Sequence, residues 1–226
     1  IDAAADNIYL SGIKESGVSD STLTLRDITA EGTANVQSEG DIVTIGTIEA
    51  ASSTLNADGN IRLADGKIAA DMTMLQAGKQ VEQSNDHAIE SAVVTATAKE
   101  GIAFDGRDNK MRELSLDNEQ GTISVNNTGA LFLSAKENAG DIIVTNSGDA
   151  LVVNSDLTAT GTGSITLGNT NGDIVLGARN VTAGGDVTIR TNTAGDIMST
   201  ETIEAAGKVT LGTDTGDIMS GTVIAS

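Results

Sequence analysis

The 226-residue sequence predicts an all-β fold, a parallel β-helix with turns of about 19–24 residues and three short strands per turn. Three observations support this: a side-chain pattern that repeats in three columns, apolar–polar alternation at the period of a strand, and the complete absence of proline. The first column is Gly163-Ser-Ile-Thr-Leu167, Gly185-Asp-Val-Thr-Ile189 and Gly207-Lys-Val-Thr-Leu211, with two steps of 22 residues. The second is Gly148-Asp149, Gly172-Asp173-Ile174, Gly195-Asp196-Ile197 and Gly216-Asp217-Ile218, with steps of 24, 23 and 21. The third is Leu157-Thr-Ala159, Val181-Thr-Ala183, Ile203-Glu-Ala205 and Val223-Ile-Ala225, with steps of 24, 22 and 20. Three columns advancing together are the signature of a stacked repeat.

The first column continues backward through Gly140-Asp-Ile142, Gly121-Thr-Ile123, Gly101-Ile-Ala-Phe104, Gly78, Gly59-Asn-Ile61 and Gly40-Asp-Ile42. Thr47-Ile-Glu-Ala-Ala51 recurs as Thr202-Ile-Glu-Ala-Ala206, which ties both halves to one template. Residues 1–226 therefore read as a single solenoid. The pattern is weakest over 72–100, where Met72, Met74, Val81, Ile89, Val93 and Val94 fit no column well, so an irregular insertion or loop is expected there.

Within each unit the alternation sends Ile165 and Leu167 inward and Thr166 outward, and Val187, Ile189 and Thr188 repeat the arrangement. Gly, Asn and Asp mark the turns, where positive φ is often needed. Proline removes a ladder donor, so its absence suits a chain spent largely in paired strands. A unit of this size cannot bury its own apolar face; stacking buries it. Roughly ten units at ~4.8 Å per strand make a rod of about 50 Å. Gly-rich short strands could also build a β-sandwich, but a sandwich gives no reason for side chains to repeat in register.

Composition narrows the function. Thirteen basic against 32 acidic residues give a net charge of −19, unsuited to the nucleic-acid backbone. One Tyr, two Phe and no Trp leave almost no stacking platform for bases or sugars. No segment is apolar enough for a helical membrane span, and no Cys is present for thiol, zinc–thiolate or disulfide chemistry.

Gly163-Ser-Ile-Thr-Leu-Gly168, Gly172-Asp-Ile-Val-Leu-Gly177 and Thr182-Ala-Gly-Gly-Asp-Val-Thr-Ile189 resemble the repeats of filamentous-haemagglutinin-type adhesins, bacterial exoproteins of the two-partner secretion and autotransporter kinds. The resemblance covers most of 40–226. It implies a right-handed helix, an extracellular or cell-surface location, and a non-enzymatic structural or adhesive role in adhesion, biofilm or filaments. The partner would be a host or neighbouring-cell surface or matrix. Beginning at Ile1 and ending in mid-pattern at Ser226, the sequence is expected to be an excised segment of a longer protein. Its open ends suit end-to-end self-association or continuation into further turns, while the net charge opposes side-by-side clustering.

Two other classes stay open. β-Helices also carry polysaccharide-acting enzymes, and Asp105 and Asp108 around Arg107 form the most suggestive carboxylate cluster, although turn chemistry accounts for Asp-Gly-Arg-Asp-Asn as well. His87, the only histidine, has no second His for a metal pair and is expected on a solvent-exposed loop. No cofactor and no catalytic residue is assigned. Asp149, Asp173, Asp196 and Asp217 occupy equivalent places in successive turns. Their side chains either accept hydrogen bonds from turn N–H groups or bind Ca²⁺, and the turn role is preferred. Thr166, Thr188 and Thr210 form an outward file, with Thr170, Thr193 and Thr215 in turns, so an ice-binding solenoid is the third class. Asp186, Arg190, Lys208 and Asp214 interrupt any flat threonine face.

Overall fold

Stacking of the repeat fixes everything else in this molecule. The computed structural model describes residues 1–13, 21–136 and 138–226. Among them the chain forms twenty-five strands, from Ala3–Ala5 to Val223–Ala225, and no helix. Parallel pairing joins each strand to its counterpart one turn later, and about ten turns stack into a β-solenoid.

The inner wall of the first face shows why the sequence stacks. Leu23, Ile42, Ile61, Val81, Ile102, Ile123, Ile142, Ile165, Val187 and Val209 lie on one another in register. After Leu23 every member is β-branched, the shape that packs best on a pleated surface. From Ile42 to Val187 all are fully buried. From residue 142 onward each turn holds three short strands, as in Ile165–Asn169, Ile174–Gly177 and Val181–Ala183. The third-face strands Leu157–Ala159, Val181–Ala183, Ile203–Ala205 and Val223–Ala225 form a separate four-stranded sheet. Nearer the N-terminus no Gly-Asp pair falls between the first and second faces, and pairing runs on around the bend. Asp41–Ala57 and Ile61–Ala77 are single 17-residue strands, paired almost throughout. Gly66, at φ +89°, makes one such bend, and a Cβ there would lie 2.3 Å from the Gly46 carbonyl oxygen.

The 72–100 stretch is not an insertion. Its strands, the end of Ile61–Ala77 with Gln80–Gln83 and His87–Ala98, pair in register with the turns on both sides. The apolar pattern fades because polar residues take inward positions and satisfy one another. Thr73 and Ser91 share a buried hydroxyl–hydroxyl bond of 2.6 Å. Gln83 and Asn109 form a reciprocal amide pair, Gln83 Nε2 donating to Asn109 Oδ1 at 2.7 Å and Asn109 Nδ2 to Gln83 Oε1 at 2.9 Å.

A second buried polar device follows at the corner after the first face. Asn127, Asn146 and Asn169 stack in register, Asn127 Nδ2 donating to Asn146 Oδ1 at 3.0 Å and Asn146 Nδ2 to Asn169 Oδ1 at 3.2 Å. Asn146 Nδ2 also donates to the Asp149 carbonyl at 3.0 Å, closing the turn. Thr191 takes the next place and donates its hydroxyl to the Gly195 carbonyl at 2.7 Å.

Outward positions carry the surface. On the first face Thr24, Val43, Arg62, Glu82, Ala103, Ser124, Ile143, Thr166, Thr188 and Thr210 form one file. On the second face the corresponding file is Met72, Val93, Glu113, Phe132, Val152, Val175, Met198 and Met219.

Asn146→Ala is expected to lower stability by about 1–3 kcal/mol, because it strands buried polar partners on both neighbouring turns. Thr166→Ala, on the outward file, is expected to stay within about 0.5 kcal/mol of the parent. Urea unfolding of the two variants checks the contrast.

Candidate functional site

The aspartate file serves the stack. Asp173 Oδ1 accepts the Asp196 backbone N–H at 2.9 Å, and Asp196 Oδ1 accepts that of Asp217 at 2.8 Å. Each carboxylate thus binds the N–H one turn above it, and the preceding glycine has its own reason. A Cβ on Gly195 would lie 2.1 Å from the Gly172 carbonyl oxygen, and one on Gly216 equally close to that of Gly195. The same clamp recurs elsewhere. Asp27 accepts from Thr47 N–H, Asp41 from Asn60, Asp141 from Ser164, Asp156 from Asn180 and Asp186 from Lys208, at 2.8–3.0 Å. The Asp149 carbonyl oxygen accepts from the Asn146 and Asn169 amides. Among the described residues no three His, Asp or Glu side chains gather as a metal site. The turn threonines are likewise engaged: Thr193 Oγ1 donates to the Thr170 carbonyl at 2.8 Å and Thr215 Oγ1 to that of Thr193 at 3.3 Å. Thr166, Thr188 and Thr210 do face outward in register, but Ile143 and Ser124 continue their file.

The residues with most chemical potential meet at one corner. Asp65, Lys67, Asn85, Asp86, His87, Arg107 and Asp108 line an open groove of about 820 Å³. The Gln83–Asn109 pair builds it: Gln83 Oε1 accepts the Gly106 N–H, Gln83 Nε2 donates to the His87 carbonyl, and Asn109 Oδ1 accepts the Ile89 N–H. Arg107 and Asp108 stand exposed on the rim, and none of the ion pairs among the described residues includes Arg107. Asp105 lies apart from this groove, accepting a 2.5 Å bond from the Ser124 hydroxyl. The cluster read from Asp-Gly-Arg-Asp-Asn is therefore split. Beside the groove Glu90 bridges Lys110 at 2.9 Å and Lys67 at 3.4 Å, and the Lys110 hydrogen bond holds its carboxyl below the usual carboxylate range.

His87 corrects the expectation of an exposed loop histidine. It opens the strand His87–Ala98, two residues before inward Ile89, and is 1% exposed. In register with it lies Gly66, and Gly46 lies one turn further down. Neither ring nitrogen has a hydrogen-bond partner. Burial pushes the imidazole down to about 4, with the Asp65 carboxylate opposing. A general base is ordinarily oriented by a third group, and His87 has none. No sequence signal marked its burial, because a lone His between Asp86 and Ala88 also fits a surface turn.

Compared with known proteins, the chain matches no family model, no curated protein and no solved structure.

Two outcomes are expected in solution. The folded pKa of His87 lies below its ordinary 6.5, so between those values the unfolded chain binds more protons and stability is lost as the pH falls. About 2 kcal/mol should be lost between roughly pH 7 and pH 5, and His87→Leu should flatten that slope in urea titrations. Melts with EDTA and with millimolar Ca²⁺ should agree within about 2 °C, less than ~1 kcal/mol of binding produces in a chain of this size. A large drop with EDTA would instead make Asp173, Asp196 and Asp217 metal ligands.

Proposed function

We propose that this chain is a structural and adhesive segment of a secreted or cell-surface bacterial β-helical exoprotein of the filamentous-haemagglutinin type. It acts without catalysis, holding a surface away from the cell and presenting it to a host cell, a neighbouring cell or matrix. One observation carries this reading: the residues that recur with the repeat are used by the repeat. The clamping carboxylates bind N–H groups one turn away, the turn threonines bind carbonyls, and the corner asparagines bind one another. Side chains spent in this way favour a rigid, extended scaffold over a reaction centre.

A polysaccharide-acting enzyme is the second reading, favoured by the groove that gathers Asp65, Asp86, Asp108, Lys67 and Arg107. Displaying the chain on a non-adherent bacterium separates the two. The adhesive reading expects several-fold more cells retained on epithelial monolayers or matrix-coated glass, unchanged by Asp108→Asn. Unaltered retention, together with depolymerisation of an acidic polysaccharide that Asp108→Asn abolishes, would replace it with the enzyme.

A further inference from the structure

The N-terminal half of the second face departs from the rule that polar side chains serve the stack. Two outward files run up it side by side. Tyr9, Asn35, Thr54, Met74 and Thr95 form one, and Ser11, Gln37, Asn56, Gln76 and Thr97 form the other. Neither file holds a charge, in a chain carrying 13 basic and 32 acidic residues. Among the described residues, none of their amides or hydroxyls has a hydrogen-bond partner within the molecule. Tyr9, the only tyrosine, stands 72% exposed at one end. It lines a hollow of about 180 Å³ with Ser11, Asn35 and Gln37. A second hollow of about 170 Å³ shares Ser11 and Gln37 with the first and adds Asn56, Glu39 and Asp58.

We propose that this strip binds a neutral polysaccharide laid along the rod. The inference rests on the adhesive reading and names the chemistry of the partner. A charged ligand finds no counter-ion on either file. An apolar cover would strand amides and hydroxyls that it cannot satisfy. A second copy would add to the net charge of −19 and bring Glu39 and Asp58 to an interface whose two files offer no cation to pair them. A sugar polymer meets each condition. Its hydroxyls donate and accept, as do the asparagine and glutamine amides. Glu39 and Asp58 can accept from them in charge-assisted bonds. Tyr9 offers a ring face to the apolar side of one sugar and keeps its hydroxyl at the edge. Turns follow one another at ~4.8 Å, close to the length of one sugar residue in an extended chain, so successive sugars meet successive pairs of side chains. Five turns span roughly 19 Å, room for about four residues.

Affinity electrophoresis of the whole chain tests this. Native gels containing a soluble β-glucan, a mannan, a galactan or dextran are compared with gels containing alginate or heparin. At least one neutral polymer should retard the chain, and neither anionic polymer should. Tyr9→Ala with Gln37→Ala should weaken the retardation about tenfold, read as dissociation constants from its dependence on polymer concentration. Both side chains are exposed, so the double variant should keep the parent circular dichroism and melting curve. Thr166→Ala, on the first face, should bind as the parent does. A wild-type chain that no neutral polymer retards would overturn the proposal. Retardation that the double variant retains, or retardation by alginate and heparin alone, would overturn it equally. If cells displaying the chain still adhere while the purified chain ignores every neutral polymer, the adhesive reading stands and this one falls.

Discussion

In a stack of parallel strands each residue lies ~4.8 Å from its counterpart one turn earlier, so a side chain placed once must tolerate a copy of itself. Apolar residues gain from this, and the β-branched column from Ile42 to Val209 is the result. Carboxylates lose: two charges at that spacing repel by roughly 1 kcal/mol even in water. The structure offsets the loss by giving each clamping aspartate a backbone N–H from the next turn, as at Asp173 and Asp196. Buried amides turn the constraint to advantage, since an asparagine carries both donor and acceptor and can bond to an identical neighbour. Asn127, Asn146 and Asn169 do so.

That constraint also decides what can be read from sequence. Columns of Ile, Val and Leu and the recurring Gly-Asp pairs give away the stack, because like residues recur at a fixed step. The 72–100 region was opaque for the opposite reason. Its turns are closed by unlike partners, Thr73 with Ser91 and Gln83 with Asn109, contacts set between residues 18 and 26 positions apart that no periodicity reveals. The burial of His87 belongs to the same class, since it depends on neighbouring turns that no periodicity reveals. Of the site candidates, Asp108 and Arg107 do share a groove with His87, whereas Asp105 faces a different one.

A fold that spends its polar side chains on its own register is suited to length and rigidity. The Gln83–Asn109 corner departs from the side-chain repeat, and the groove lies there. The apolar outward strip of the second face is different in kind. It continues the repeat without disturbing the clamp of any turn.

Spin-label distances along one outward file test the stack most directly. With no native Cys, thiols can be introduced pairwise at Thr24, Ser124 and Thr210, which lie on one first-face file. Ser124 and Thr210 are four turns apart, and Thr24 and Thr210 nine, so separations near ~19 Å and ~43 Å are expected, a constant increment of ~4.8 Å per turn. Separations that do not grow with the number of turns, as in a sandwich where sequence-distant strands fold back together, would contradict the in-register solenoid on which every other conclusion rests.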